Sequence, residues 1–352
     1  MKKIFYILIV ILAVHICFIP SENVKGESVK SVAGIEISEE NFPDEVLREI
    51  LEKKDENGDG FLSDKEIESI KSINLDKVEL QDEEHGLDEC MEMNETFMYG
   101  KPKGLTLTRE EKVKRYCTIN LKGIDKLTYL SAITLGTGYI KGYGQKIYNL
   151  NLLYKMPKII GLQFIGDSGI KKLQLYKFQN LKNLTLYSTD FDSINFGKKP
   201  KIEYICMIMC NIKKRLDISQ LKRIKKFYAD HIVLTGLKMG KKNKKLEKFY
   251  LHPAIDEIKK CKLKKLDFTG LKNLKKVDVW NWPKLESAKF KNNNKLEKLK
   301  IFNCAKFKNL YVENCNKIKK INVSFYTKFK NITIKKCKNK KAILKKISRC
   351  NT

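Results

Sequence analysis

The sequence predicts an α/β solenoid, a horseshoe of short parallel strands, headed by a small helix–loop–helix cap. Three observations carry this. Apolar pairs of the form L-x-L return at Leu299/Ile301, Leu310/Val312, Ile321/Val323 and Ile332/Ile334, an 11-residue period. Strand starts recur from further upstream, at Leu162, Leu184, Ile205, Phe227, Phe249, Val277, Leu299 and Ile321, in steps of 21 or 22 residues apart from one of 28. Ahead of the array, residues 42–66 (FPDEVLREILEKKDENGDGFLSDKE) alternate an apolar-faced helix, a glycine-containing acidic loop and a second helix start.

The period fixes the architecture because a unit of 11 residues cannot bury its own apolar face. Successive units must stack and share one core, two units making one coil with two extended segments. Each strand start is preceded three positions earlier by another apolar residue, as Leu296 precedes Leu299 and Ile318 precedes Ile321. The single step of 28 residues marks an insertion around Asp256–Lys264. Cys304, Cys315 and Cys337 share one repeat position and Cys210 holds a similar one, which predicts small apolar core residues. Cys90 and Cys117 flank the longest non-repeating stretch and form the candidate disulfide.

The cap carries the sharpest chemical motif. Pro43 suits a first helical turn, and Asp44 and Glu45 suit the positive end of a helix. Phe42, Val46, Leu47, Ile50 and Leu51 form its apolar face. The loop DENGDGFLSDKE then fits the twelve-residue EF-hand pattern position by position. Asp55, Asn57 and Asp59 supply side-chain oxygens, Gly60 the sharp turn and Phe61 a main-chain carbonyl. Ser63 ligates or holds a water, and Glu66 closes the site with both oxygens. Hard oxygens in a loop that can bend around an ion point to Ca²⁺ as the cofactor. One such loop predicts a calcium-stabilised cap rather than a paired sensor.

The domain boundaries follow. Residues 1–26, extending to 33 if cleavage follows Ala33 rather than Gly26, read as a secretion signal: Lys2 and Lys3 precede a largely apolar run from Ile4 to Ile19. Residues 34–76 form the cap, 77–116 an insertion of no assigned function, and 117–352 the solenoid. No other apolar run is long enough to span a bilayer, so membrane attachment requires an uncleaved signal. The net charge of +30 is unevenly spread, with an acidic head and a lysine-rich array. Such a balance attracts anionic cell-wall polymers or acidic glycans, and nucleic acid is the less favoured partner. Many of these lysines also fall where a solenoid simply needs solvated side chains.

The order of signal, FPDEV-type helix, DxNxDGxLSxxE loop and LxxLxL coils resembles secreted leucine-rich-repeat proteins of Gram-positive bacteria, internalin-like in their repeats. The resemblance covers most of the chain beyond the signal; the departure is the segment 77–116. It implies a secreted or surface-associated bacterial protein that binds a protein or glycan and is not an enzyme. The residues agree in lacking HExxH, GxSxG and phosphate-loop patterns, and only four histidines occur. An enzyme would have to pair a cysteine with His252 or His231, without a local motif.

Strand alternation turns the register into a map of the binding face. One outward column reads Gln163, Thr185, Cys206, Tyr228, Tyr250, Asp278, Lys300, Asn322. The next reads Ile165, Tyr187, Ile208, Asp230, His252, Trp280, Phe302, Ser324. Tyr187, Tyr228, Tyr250, His252, Trp280 and Phe302 are therefore the candidate partner-binding residues, since gathered aromatics mark recognition surfaces.

Overall fold

The computed structural model describes residues 34–77, 108–137, 144–198, 200–324 and 331–349. The signal segment, most of the insertion and Cys90 lie outside the described residues. The chain divides into two compact units, Met1–Ile170 and Lys171–Thr352.

In the first unit the cap is built from helix α1 (Glu45–Glu52) and helix α2 (Asp64–Ser69), joined by the acidic loop. Asp44 is the N-cap of α1 and accepts from Leu47 N. Its other oxygen receives Lys77 Nζ at 2.9 Å and Asn120 N at 2.8 Å, and Lys77 also donates to Thr118 O. Asp44 thus ties the cap to the first coil. Burial pulls the Lys77 pKa down, while Asp44 beside it opposes the shift. The visible end of the insertion is helix α3 (Arg109–Tyr116), started by a Thr108–Glu111 capping box. Arg115 on this helix grips Glu49 of α1 with both terminal nitrogens, at 2.8 and 3.2 Å. Gly123, at φ +85°, admits no Cβ, which would lie 2.2 Å from Asn41 O.

The first parallel strand, Ser72–Asp76, follows directly on α2. It pairs with Ala132–Gly136, which pairs with Gly161–Ile165, in the register Ile73–Ile133–Leu162. On the other side of these coils Thr118–Asn120 pairs with Lys146–Tyr148.

The second unit repeats this plan more regularly. Its front sheet stacks Leu184, Ile205, Phe227, Phe249, Val277, Leu299 and Ile321 in one in-register row. The back sheet stacks Leu266, Ala288, Leu310 and Ile332. The coils differ from the α/β expectation: both sides are strands, and in the described part of this unit the only α-helix is terminal helix α4 (Lys340–Arg349). The cause is the 11-residue half-coil, which leaves too few residues between strands for three turns of helix. Helix α4 turns Ile343 and Ile347 inward at the end of the array.

The core between the sheets is an aromatic and aliphatic stack. Phe227 and Phe249 lie parallel at 5.1 Å, Phe268 meets Phe249 edge-on, and Phe268 and Phe290 stack at 4.9 Å. Each such burial contributes about 1.5–3 kcal/mol. The corners are equally regular. Ser188, Met209, His231, Asn281, Asn292, Asn303, Asn314 and Lys336 all have φ between 48° and 63° directly after an extended segment. The residue after several of these corners points inward and donates to a buried carbonyl. Trp282 Nε1 reaches Leu251 O at 3.1 Å, and Asn293 Nδ2 reaches Phe268 O and Leu271 O at 2.7 and 3.0 Å. Cys210, Cys315 and Cys337 occupy the same kind of place with weaker thiol contacts, to Ile208 O, Glu313 O and Lys335 O. Burial raises the Cys210 thiol to about 11 and those of Cys304 and Cys315 to about 12, so they pack as the core residues the repeat predicts.

Asn293→Ala is expected to destabilise the fold by about 1–3 kcal/mol, because two buried carbonyls lose their donor. Asn293→Cys should lose less, since the thiol is the occupant one half-coil onward. Urea midpoints of the three proteins test this, and equal loss in both variants would reject the donor account.

Candidate functional site

The front face of the second unit presents three columns of side chains, because residues two apart on a strand share a face. Strand pairing puts Tyr228 beside Tyr250, Tyr250 beside Asp278, and Asp278 beside Lys300. In the neighbouring column Trp280 pairs with Phe302. The rings of Tyr228 and Tyr250 stack at 4.4 Å and 9°. Tyr250 lies 3.8 Å from the His252 ring, and His252 meets Trp280 edge-on at 5.4 Å. Five predicted residues therefore come together. Tyr187 does not: its register partner is Ile208, which separates it from Asp230 and the cluster beyond.

A charged group lies within these rings. His252 Nδ1 is 3.4 Å from Asp230 Oδ1, and His252 Nε2 is 3.5 Å from Asp278 Oδ1. Lys300 and Lys276 approach Asp278 at 3.5 and 3.8 Å, and His231 Nδ1 lies 3.3 Å from Asp230. His252 and Asp278 are each 8% exposed. The contact between them is close enough for ion pairing but too long for a good hydrogen bond, so His252 Nε2 and Asp278 Oδ1 are buried without a hydrogen-bond partner. Burial alone would lower the His252 pKa, but the two flanking carboxylates outweigh it and the net shift is upward. Burial would likewise raise Asp230 and Asp278, and the histidine beside both carries them below the ordinary range. Burial first, and then the nearby carboxylates, push the Tyr228 and Tyr250 hydroxyls up.

Periodicity alone placed Asp230, Asp278 and Lys300 on this face but gave no reason to group them with the rings. Asp230 and His252 stand side by side in one column on adjacent strands, and Asp278 meets His252 from the column beside it. A signal was nevertheless present in the sequence, as Asp230, His252 and Asp278 fall at strand positions four, four and two places after the in-register Lys226, Lys248 and Lys276.

The acidic loop lies in the first unit. Asp55 accepts from Gly58 N and Gly60 N at 2.8 Å, and Asp59 accepts from Phe61 N at 2.8 Å. Gly58 and Gly60 take φ of +71° and +80°, the conformations a tight loop requires. Phe61–Leu62 pairs antiparallel with Ile35–Glu36, which gives this lone loop a strand partner. Glu66 is 5% exposed and reaches across the loop to Glu56 N at 2.7 Å, while its second oxygen accepts from Ser63 N and Oγ. The hydrogen bonds from Ser63 hold its carboxyl below the usual range. Among the described residues no three His, Cys, Asp or Glu side chains converge as a metal-binding group. The donors of the loop are nevertheless hard oxygens, the type calcium takes, and a main-chain carbonyl and Asn57 are part of the set.

The coils define a β-solenoid with parallel strands on both sides of each coil. No protein-family model matches the chain, and no curated protein matches its sequence. Among solved structures the chain is similar to an internalin, InlF, from Listeria monocytogenes strain 4b F2365. The two are 13% identical, with 89% of this chain and 96% of that chain covered and a TM-score of 0.34.

A raised histidine pKa contributes stability below the ordinary histidine value and loses it as pH rises through the folded one. The lowered carboxylates contribute above the ordinary aspartate value and lose it in acid. His252→Gln should therefore cost about 1–3 kcal/mol near pH 6, and the gap to wild type should narrow by pH 9. Urea midpoints at both pH values check this, and a gap independent of pH would mean that packing, not charge, holds His252.

Proposed function

We propose that this is a secreted, non-enzymatic leucine-rich-repeat binding protein that recognises a protein or glycan through the front face of its second unit. The carrying observation is the contiguous array Tyr228, Tyr250, His252 and Trp280 on an outward sheet face. Rings of this kind supply large contact area at low entropic cost and leave polar edges free to orient a partner. Secretion is supported by the signal-like residues 1–26, and a bacterial surface setting by the family resemblance. A second reading, electrostatic attachment to an anionic cell-wall polymer, is favoured by the net charge of +30.

The cap is proposed to bind calcium through Asp55, Asn57, Asp59, the Phe61 carbonyl and Glu66, with Ser63 ligating or holding a water. The ion would supply a positive centre that draws the loop oxygens together. It would thereby fix α1 against α2, and through Asp44 stabilise the first coil.

Trp280→Ala should reduce partner binding at least tenfold in a screen against glycans and surface proteins at physiological salt, with the melting temperature of the variant near that of wild type. Unchanged binding would remove the front face from the account. Calcium is expected to raise the melting temperature of the wild type, and Glu66→Gln should abolish most of that rise. Because Glu66 also closes the α2 capping box, some loss without calcium is expected from the variant as well. A calcium response equal in both proteins would reject the site.

A further inference from the structure

The third column of the front face was not among the predicted binding residues. In five consecutive coils the first strand position is lysine, and strand pairing places Lys226, Lys248, Lys276, Lys298 and Lys320 side by side. Lys248, Lys276, Lys298 and Lys320 are exposed. Among the described residues Lys248, Lys298 and Lys320 make no ion pair, and Lys276 makes only the 3.8 Å approach to Asp278. Neighbouring strands lie about 4.8 Å apart, so the column is a nearly straight row of ammonium groups. Like charges directly opposite one another are destabilising.

General lysine enrichment does not explain the row. The equivalent position on the back sheet reads Lys265, Ser287, Asn309, Asn331. The residue before each front strand reads Lys225, Glu247, Lys275, Glu297, Lys319 and forms alternating ion pairs such as Lys275–Glu247 at 2.8 Å. Only the front-facing position is lysine in every one of these coils. The row also shares its face with the rings: Lys248, Tyr250 and His252 lie on one strand, and Lys276, Asp278 and Trp280 on the next.

We infer that this face takes an acidic polysaccharide laid across the strands, with a sugar ring on Trp280 beside the Tyr228–Tyr250 stack and carboxylate or sulfate groups along the lysine row. The inference rests on the binding-face reading above and names its ligand class. Two features specify a sugar polymer rather than a bare polyanion. The rings offer flat apolar faces that stack on pyranoses and gain nothing from phosphate. Finally, the coil spacing is close to the length of one pyranose residue, so a repeating polymer can meet successive coils in register.

The test uses the full chain in calcium with three probes: chondroitin sulfate, the same polymer desulfated and carboxyl-reduced, and polyphosphate of matched charge. Wild type is expected to bind chondroitin sulfate at least tenfold more tightly than either control. Lys248→Gln/Lys298→Gln/Lys320→Gln should lose at least tenfold in affinity and most of the salt dependence, and Trp280→Ala should lose a similar amount with its salt dependence unchanged. Polyphosphate bound as tightly as the glycan, and indifferently to Trp280→Ala, would overturn the inference in favour of plain electrostatic adhesion. Equal binding of the neutral polymer, retained in the triple variant but lost in Trp280→Ala, would overturn the acidic ligand while leaving the face intact as a recognition surface. Failure of all three probes to bind would also overturn it. Normal circular dichroism of the variants excludes misfolding as the cause of any loss.

Discussion

The corner of each half-coil is the constraint on which the other features depend. A chain that must reverse within 11 residues cannot do so with ordinary strand geometry, and at Ser188, Met209, Asn281, Asn292, Asn303, Asn314 and Lys336 the solenoid meets this with one left-handed residue directly after a strand. Asparagine tolerates that conformation best among residues with a side chain, and Asn281, Asn292, Asn303 and Asn314 occupy it in succession. Their amides also bond from coil to coil, as Asn314 does to Asn292 at 2.9 Å. The following residue then turns inward and satisfies carbonyls that the corner would otherwise leave buried and unpaired. Fixed corners keep the strand starts in register, and constant register is what turns single residues into columns.

That register survives the one irregular coil. Between Phe249 and Val277 the chain carries additional residues, yet the two pair directly in the front sheet. The excess is taken up at a 3₁₀ turn, Ile258–Lys260, with Cys261 buried behind it and directed at Ile232 O. The detour thus leaves the front face undisturbed between the two strands that carry Tyr250, His252, Asp278 and Trp280. An insertion absorbed at a corner is tolerable, whereas a one-residue shift within a strand would turn every column over.

The repeat was legible in the sequence because each L-x-L pair is a direct record of two inward positions, and the row Leu184 to Ile321 follows from it without adjustment. The outward columns followed for the same reason. What could not be read was the interaction between columns. His252 was grouped with the aromatics by its ring, yet it also meets Asp230, its neighbour in the same column, and Asp278 in the column beside it. The all-strand character of the second unit was legible in the 11-residue unit, which puts two extended segments in each coil, and the α/β class expected for the array departs from it. At the cap, the sequence did not reveal the role of Asp44. That residue was read as a helix-dipole partner, and its carboxylate also binds Lys77 and the first coil.

The distribution of charge across the front face bears on selectivity. Lys226, Lys248, Lys276, Lys298, Lys300 and Lys320 stand against Asp230 and Asp278, and both carboxylates lie inside the aromatic cluster rather than along the lysine row. A polymer with uniform, dense negative charge would meet favourable potential along one column and repulsion two residues away. One that separates its charged groups from uncharged, hydroxyl-bearing rings meets lysine where it is anionic, and aromatic faces and carboxylates where it is neutral. On the inferred acidic polysaccharide, discrimination would come from these carboxylates as well as from the lysines, to the extent that His252, Lys276 and Lys300 leave them uncompensated.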